Sequence, residues 1–302
     1  MRRILILLAA GILAPATLQG QAPSAAQGAP DVERLEAGLQ YQTGTIALPG
    51  GIATLRLPAG YRFLDGDNAE RVIVDGWGNP PGEKPLGMIV PAGTSPLDDA
   101  GWGVVVTFMD DGFVKDDDAG EIDYDKLLSQ MQEETRQGNA ERVRLGYPAL
   151  ELVGWAARPH YDAATHKLYW ARELANPGSS GTHGLNYDVR VLGRRGVLSL
   201  NAVAAMPMLP DIERDMQGVL GFVDFNEGHR YADFTRGDRV AAYGVGALVA
   251  GTLAAKAGFF KVLLVGLLAA KKAIIAAVVA LGAFVRRLLG KAPKEGTRPA
   301  AG

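Results

Sequence analysis

The sequence predicts an α+β fold, in which a mainly antiparallel sheet carries two packed helices and is followed by a C-terminal helical membrane segment. Three observations predict it. Short β-rich runs separated by Gly, Pro and Asp fill residues 40–235, two stretches among them change to helical spacing, and a long apolar stretch bearing lysines follows. Neighbouring strands that are joined by short turns favour antiparallel pairing.

Residues 1–22 have the layout of a secretory signal peptide. Two arginines precede an apolar run from Ile4 to Leu13, and small residues suited to cleavage follow. The run is too short to span a bilayer comfortably, whereas a basic start with an apolar middle is typical of an export signal. An uncleaved anchor or a buried helix is the alternative. Residues 23–39 are then a linker rich in Gln, Ala, Pro and Gly that ends in a short helix.

The first half of the domain, predicted at 40–235, is rich in strand patterns. Residues 43–58, TGTIALPGGIATLRLP, have two β-rich runs around Pro-Gly-Gly and so predict a hairpin. Three further short strands are expected in ERVIVDGW (70–77), PLGMIVPAG (85–93) and GWGVVVTFM (101–109). Gly, Pro and Asp separate these runs and mark the turns between them.

The pattern changes to helical spacing after Asp123. Leu127, Leu128 and Met131 predict one face of a helix that ends near Gly138. Two strands around a turn at 162–166 follow, and then another pair that turns at 193–196. A second helix, capped by Asp211, precedes a last strand at 221–225.

An acidic run at 110–128 contains seven aspartates and one glutamate. An EF-hand loop that started at Asp116 would place glycine at its fifth position instead of its sixth, so that template fails. Asp118 or Asp123 can cap the following helix, and acids in a first turn meet the positive end of its dipole. A non-standard divalent-cation site at Asp116, Asp117 and Asp118 stays open, as does a catalytic cluster.

Other chemical motifs are absent from the sequence. There is no cysteine for a disulfide or a thiolate metal site. The four histidines are not at ligand spacing, and the serines lie in no nucleophile-elbow motif. No cofactor is therefore predicted, and the acidic domain argues against nucleic acid as a partner.

The predicted membrane segment occupies residues 240–289. From Val240 to Val285 its only charged residues are four lysines. A single helix of that length would measure about 69 Å, more than twice the hydrocarbon thickness, so either two spans or one span and a surface helix are expected. Residues 290–302 form a basic tail.

The charge distribution supports a lipid partner. Residues 236–302 hold eleven Lys/Arg and two acids, a balance of +9, and the remainder holds 20 and 31, a balance of −11. A lysine at the bilayer centre costs on the order of 3 kcal/mol, so interface positions are expected for the basic side chains. These membrane-interface candidates are Lys256, Lys261, Lys271, Lys272, Arg286 and Arg287.

Several phrases, among them GWGNPPGE, DGFVKDDDA, LNYDVRVLGRRGVLSLN and FNEGHRYADFTRGDRVAAYG, resemble a family of predicted membrane-anchored bacterial proteins known only as a domain of unknown function. The resemblance implies an exported domain with a C-terminal anchor, and it assigns no catalytic residue. The order of elements is similar to the small single-layer α+β folds of the Mog1/PsbP type.

These observations predict a protein of the bacterial cytoplasmic membrane with its main domain extracytoplasmic. We expect a binding or envelope-interaction module whose partners are the bilayer and either another envelope protein or a second copy. One alternative is a membrane-tethered, divalent-cation-dependent hydrolase. The other is a conduit of associated C-terminal helices in which Lys271 and Lys272 face water.

Overall fold

A computed structural model describes residues 32–178 and 180–250 of the chain. These residues lie within one compact unit, Met1–Leu253. The predicted signal peptide, the linker up to residue 31 and everything after residue 250 lie outside the described residues. All six membrane-interface candidates are among the latter.

The described residues form five α-helices and thirteen strands. The helices are α1 Val32–Ala37, α2 Gly66–Arg71, α3 Tyr124–Arg144, α4 Leu209–Phe222 and α5 Val245–Ala250. The strands are β1 Tyr41–Gln42, β2 Thr45–Ala47, β3 Ala53–Arg56, β4 Tyr61–Asp65, β5 Gly87–Pro91, β6 Gly103–Met109, β7 Phe113–Lys115, β8 Glu151–Asp162, β9 Lys167–Ala175, β10 Gly184–Leu192, β11 Val197–Ala205, β12 Val223–Phe225 and β13 Val240–Gly244.

The central element is an eight-stranded antiparallel sheet with the order β1-β4-β5-β6-β11-β10-β9-β8. A small antiparallel sheet has the order β12-β3-β2, and β13 pairs with β7 in parallel. The α+β class with a large antiparallel sheet is therefore confirmed. The predicted hairpins also form, since β2 pairs with β3, β8 with β9, and β10 with β11.

One predicted strand, ERVIVDGW at 70–77, is wrong. Its residues continue α2 into a π-helical turn at Val72–Gly76. The side chain of Asp65 caps α2 by accepting a hydrogen bond from the backbone N–H of Asn68. Val72 and Ile73 are buried against the sheet by this helical backbone. Burial in tertiary contacts thus overrides the strand preference of the β-branched run Val-Ile-Val.

The two main helices form where helical spacing predicts them, with shifted ends. Asp123 caps α3 as expected, but the helix passes through Gly138 and ends at Arg144. Asn139 exchanges two hydrogen bonds with the backbone of Leu150, of 2.8 and 2.7 Å, and so ties this last part to the chain before β8. The second helix, α4, begins at Leu209, before the predicted cap Asp211.

The two faces of the eight-stranded sheet are covered differently. On one face, α4 and the small sheet bury a large cluster that includes Leu55, Leu200 and Met216. On the other face there are two separate clusters. Trp170 and Leu168 pack with residues of α3 and α5 at one end, and Leu64 and Met88 pack with α1 and α2 at the other. This second face positions both sites described below.

The first residues of the predicted membrane segment are part of this fold. Residues 240–244 form β13, and Val245, Leu248 and Val249 of α5 are buried in the same cluster as Trp170. No helix among the described residues is long and apolar enough to cross a membrane. The segment from residue 251 onward stays a prediction.

Candidate functional site

The acidic segment, defined here as residues 110–125, lies beside the chain that leads into α5. Its strand β7 pairs in parallel with β13, with Phe113 opposite Val240 and Lys115 opposite Gly244. The backbone N–H of Phe113 also donates to the carbonyl of Arg239, at 2.8 Å. These contacts bring the acidic carboxylates of 110–118 against residues 239–246.

Two aspartates before β7 bind side chains that flank or belong to β13. Asp110 accepts a 2.9 Å hydrogen bond from the guanidinium of Arg239, in an exposed ion pair. Asp111 accepts a 2.7 Å hydrogen bond from the hydroxyl of Tyr243. Burial, together with the neighbouring Asp111 carboxylate, raises the pKa of the Tyr243 hydroxyl. Tyr243 therefore stays protonated at neutral pH, and its hydroxyl donates a hydrogen bond to the Asp111 carboxylate.

Asp118 binds the first turn of α5. One carboxylate oxygen, Oδ1, accepts a 2.9 Å hydrogen bond from the backbone N–H of Val245, and Oδ2 accepts one of 3.3 Å from Gly246. Backbone N–H groups at a helix start have no partner within the helix, and a carboxylate there also meets the positive end of the helix dipole. Asp118 therefore caps α5 instead of the helix that follows it in sequence.

Asp116 is the centre of a cluster of side chains from three parts of the chain. Its carboxylate accepts hydrogen bonds of 2.6 Å from the hydroxyl of Tyr161 in β8 and of 3.0 Å from that of Tyr231. Nδ1 of His166, in the turn between β8 and β9, lies 3.4 Å from the same carboxylate. Although partial burial acts to raise it, these hydrogen bonds hold the pKa of Asp116 below its ordinary value. Asp116 is thus an ionised acceptor that joins β8 to the chain near residue 231.

Four aromatic rings form a continuous stack next to Asp116. The ring of Tyr231 stacks on His166 at a centroid distance of 4.0 Å and on Phe113 at 4.4 Å. Phe113 in turn stacks on Phe234 at 4.1 Å. Each ring is partly exposed. The stack therefore packs the segment around residue 231 onto β7, on the same side as the Asp116 cluster.

The rest of the acidic segment is the entrance to α3. Asp123 Oδ1 accepts hydrogen bonds from the backbone N–H groups of Asp125 and Lys126, the latter at 3.0 Å. Asp125 forms a two-pronged ion pair with Arg158 of β8, with distances of 2.8 and 3.0 Å. Asp117 and Glu121 are exposed. The prediction of a capped helix entrance is thus correct for Asp123.

The three metal candidates have separate surroundings. Asp116 accepts from tyrosines, Asp118 accepts from the α5 backbone, and Asp117 faces solvent. Within residues 32–178 and 180–250 there is no group of three or more His, Cys, Asp or Glu that could hold a metal ion.

Sequence patterns could not identify the partners of these carboxylates. Tyr161 is 45 residues from Asp116, and Tyr243 is 132 residues from Asp111. Nothing local in the sequence marks either tyrosine as a hydrogen-bond donor. The available signal was the density of acids itself, which exceeds what one helix cap requires.

Comparisons with known proteins give a family match and distant structural similarity to solved proteins. The model of the family described as "Protein of unknown function (DUF2167)" matches residues 40–282. No curated protein sequence matches the chain. The solution structure of cyanobacterial PsbP (CyanoP) from Synechocystis sp. PCC 6803 is similar with a TM-score of 0.34 and 10% identity, covering 62% of this chain and 92% of that one. A similarity this weak carries no functional argument.

Proposed function

The chain belongs to the DUF2167 family, and from that premise we propose that it is a membrane-anchored extracytoplasmic binding or envelope-interaction module. In this proposal the acidic segment holds residues 239–246, which form the base of the C-terminal anchor. The observation that carries it is the set of bonds from Asp110, Asp111 and Asp118 to residues 239–246. A tethered module needs a firm attachment between its folded domain and its anchor.

The charge pattern supports the same proposal. The basic and apolar residues after 250 suit anionic lipid headgroups and a hydrocarbon interior. The acidic domain would be repelled by the same headgroups. A domain that is repelled from a surface by its charge, yet tethered to it, stays available to partners in the envelope. The partner in this proposal is another envelope protein or a second copy of the chain.

The absence of cysteine from the chain makes a topology experiment direct. Single substitutions Arg136→Cys, in the exposed part of α3, and Lys294→Cys, in the basic tail, each introduce one thiol. Spheroplasts are treated with a membrane-impermeant maleimide before and after the membrane is opened. We expect labelling of Arg136→Cys in intact spheroplasts, because the domain is extracytoplasmic.

The tail thiol reports the number of crossings. Labelling of Lys294→Cys only after the membrane is opened indicates one net crossing, and labelling in both states indicates an even number. Protection of Arg136→Cys in intact spheroplasts would contradict the proposal, since it would place the domain in the cytoplasm. A denatured sample of each variant serves as the control for thiol reactivity.

A further inference from the structure

A second group of charged and polar side chains lies on strands β9, β10 and β11 of the eight-stranded sheet, on the face that carries the Trp170 and Leu64 clusters. We call it the buried polar cluster: Arg172 of β9, Asp188 and Arg190 of β10, and Asn201 of β11. Pairing places Trp170, Asp188, Asn201 and Val105 in one row across the strands. Paired residues point to the same face of a sheet, so these side chains are neighbours.

Asp188 is the hub of the buried polar cluster and is fully buried. One carboxylate oxygen accepts a 2.6 Å hydrogen bond from Nη2 of Arg172. The other accepts one of 2.7 Å from Asn201 Nδ2 and one of 3.1 Å from Arg190 Nη1. The carboxylate is therefore well supplied with donors and has little capacity for another.

The charges in the buried polar cluster do not balance. Two guanidinium groups share one carboxylate, and Arg172 is only 7% exposed. Burial and the repulsion from Arg172 lower the pKa of Arg190, against the opposing effect of Asp188. A buried charge without a counter-charge is costly, and arginine at a protein's working pH cannot relieve that cost by losing its proton.

Donors also exceed acceptors. Among the described residues, three buried N–H groups in or beside the buried polar cluster have no hydrogen-bond partner: Nε of Arg172, Nε of Arg190 and Nε1 of Trp170. The guanidinium of Arg190 lies over the Trp170 ring at 4.8 Å, which brings two of the three close together. Within the buried polar cluster itself, Oδ1 of Asn201 is the one acceptor without a partner among the described residues. Folded proteins leave few such groups, and each unpaired one costs about 1–3 kcal/mol.

A ligand that brings negative charge and acceptor oxygens would correct both deficits at once. We propose that the buried polar cluster binds the oxyanion of a small ligand, a carboxylate or a phosphate, with Arg172, Arg190 and Trp170 as donors. Arginine suits this role because its planar guanidinium pairs with both kinds of oxyanion. Asp188 holds the two arginines in place, and Asn201 anchors Asp188 from the neighbouring strand. The site lies on the strands between the Trp170 and Leu64 clusters.

The test is the melting temperature of the purified full chain in sodium phosphate, sodium acetate and sodium chloride at equal ionic strength. We expect a saturable rise of about 3–6 °C in phosphate or acetate over chloride, the size for a ligand near ten times its dissociation constant. Phosphate also stabilises proteins non-specifically, but that effect grows steadily with concentration and does not saturate. A rise in phosphate indicates a phosphate ligand, and a rise in acetate indicates a carboxylate ligand.

Variants localise the effect. Arg190→Gln removes one guanidinium and should abolish the saturable rise, whereas Arg158→Gln, in an exposed ion pair with Asp125, should retain it. If Arg190→Gln does not fold, Trp170→Phe takes its place. This change removes one hydrogen-bond donor and should weaken the binding of the anion several-fold. Equal melting temperatures in all three salts, or a rise that survives in the variant of the buried polar cluster, would overturn the proposal.

Discussion

The carboxylate of Asp118 accepts a 2.9 Å hydrogen bond from the backbone N–H of Val245, 127 residues further along the chain. This contact joins the acidic segment to the start of α5. With β7 paired to β13, and with Asp110 and Asp111 bound to Arg239 and Tyr243, it makes 239–246 part of the folded domain. An acidic run that first suggested a helix entrance or a metal loop is therefore chiefly an attachment surface.

Replacing Asp118 should loosen α5. Asp118→Ala removes a helix cap, which typically costs about 0.5–2 kcal/mol. We expect a lower free energy of unfolding in urea and faster amide exchange at Val245 and Gly246. The matched control is Asp117→Ala, since Asp117 is adjacent and exposed. Equal stabilities of the two variants would show that the cap contributes nothing.

Gly244→Ala should act through the same contact. A Cβ at residue 244 would overlap the Asp118 carboxylate, whereas one at Gly246 would meet Ile122 at 3.3 Å, a tight but softer contact. We expect Gly244→Ala to destabilise the protein more than Gly246→Ala, by about 1–3 kcal/mol.

A double variant isolates the cause of that loss. On an Asp118→Ala background the overlap is gone, so Gly244→Ala should then cost clearly less than it does alone. Additive losses in this double-mutant cycle would mean that the two residues are not coupled.

The Asp116 cluster predicts a pH dependence. Folding lowers the pKa of Asp116. The stability that its carboxylate contributes is therefore fully present above the pKa of the unfolded chain, near 4. It is lost as the pH falls through the lower pKa of the folded protein. Tyr161→Phe removes one donor and should reduce stability by about 1–2 kcal/mol at neutral pH.

The difference in the free energy of unfolding between wild type and Tyr161→Phe should therefore become smaller below pH 4. Urea unfolding at a series of pH values measures it, with Tyr147→Phe as the control for loss of a hydroxyl elsewhere. A difference that stays constant from pH 7 to pH 3 would mean that Tyr161 does not stabilise the charged form of Asp116.

Divalent cations test the remaining alternative for the acidic segment. Asp116 and Asp118 are occupied by tyrosine and backbone donors. We therefore expect no change in melting temperature with calcium, magnesium, manganese or zinc. A saturable rise that is lost in Asp116→Asn/Asp118→Asn would contradict this and favour the cation-dependent hydrolase.

Local patterns in the sequence predicted much of the sheet but not its attachments. The hairpins at 151–175 and 184–205 follow from apolar strand runs around short turns, which are local features. The strand predicted at Val72-Ile73-Val74 is wrong because buried contacts, and not strand preference, determine the conformation of these residues. Asp123 was predictable as a cap because it precedes its own helix, whereas Asp118 caps a helix 127 residues away. Contacts between distant residues leave no local pattern.

The buried polar cluster illustrates the same limit. Asp188 and Arg190 lie two positions apart in β10, a spacing that already places them on one face of the sheet. That spacing does not reveal whether the face is buried. Arg172 and Asn201 join them only through strand pairing.

We propose that residues after 250 hold the folded domain on a membrane and that 239–246 join the two. Sodium carbonate extraction of membranes tests it most directly, with the full chain compared with a chain that ends at Leu253. We expect the full chain to stay in the pellet until detergent is added and the shortened chain to be released. Release of the full chain by carbonate alone would contradict it.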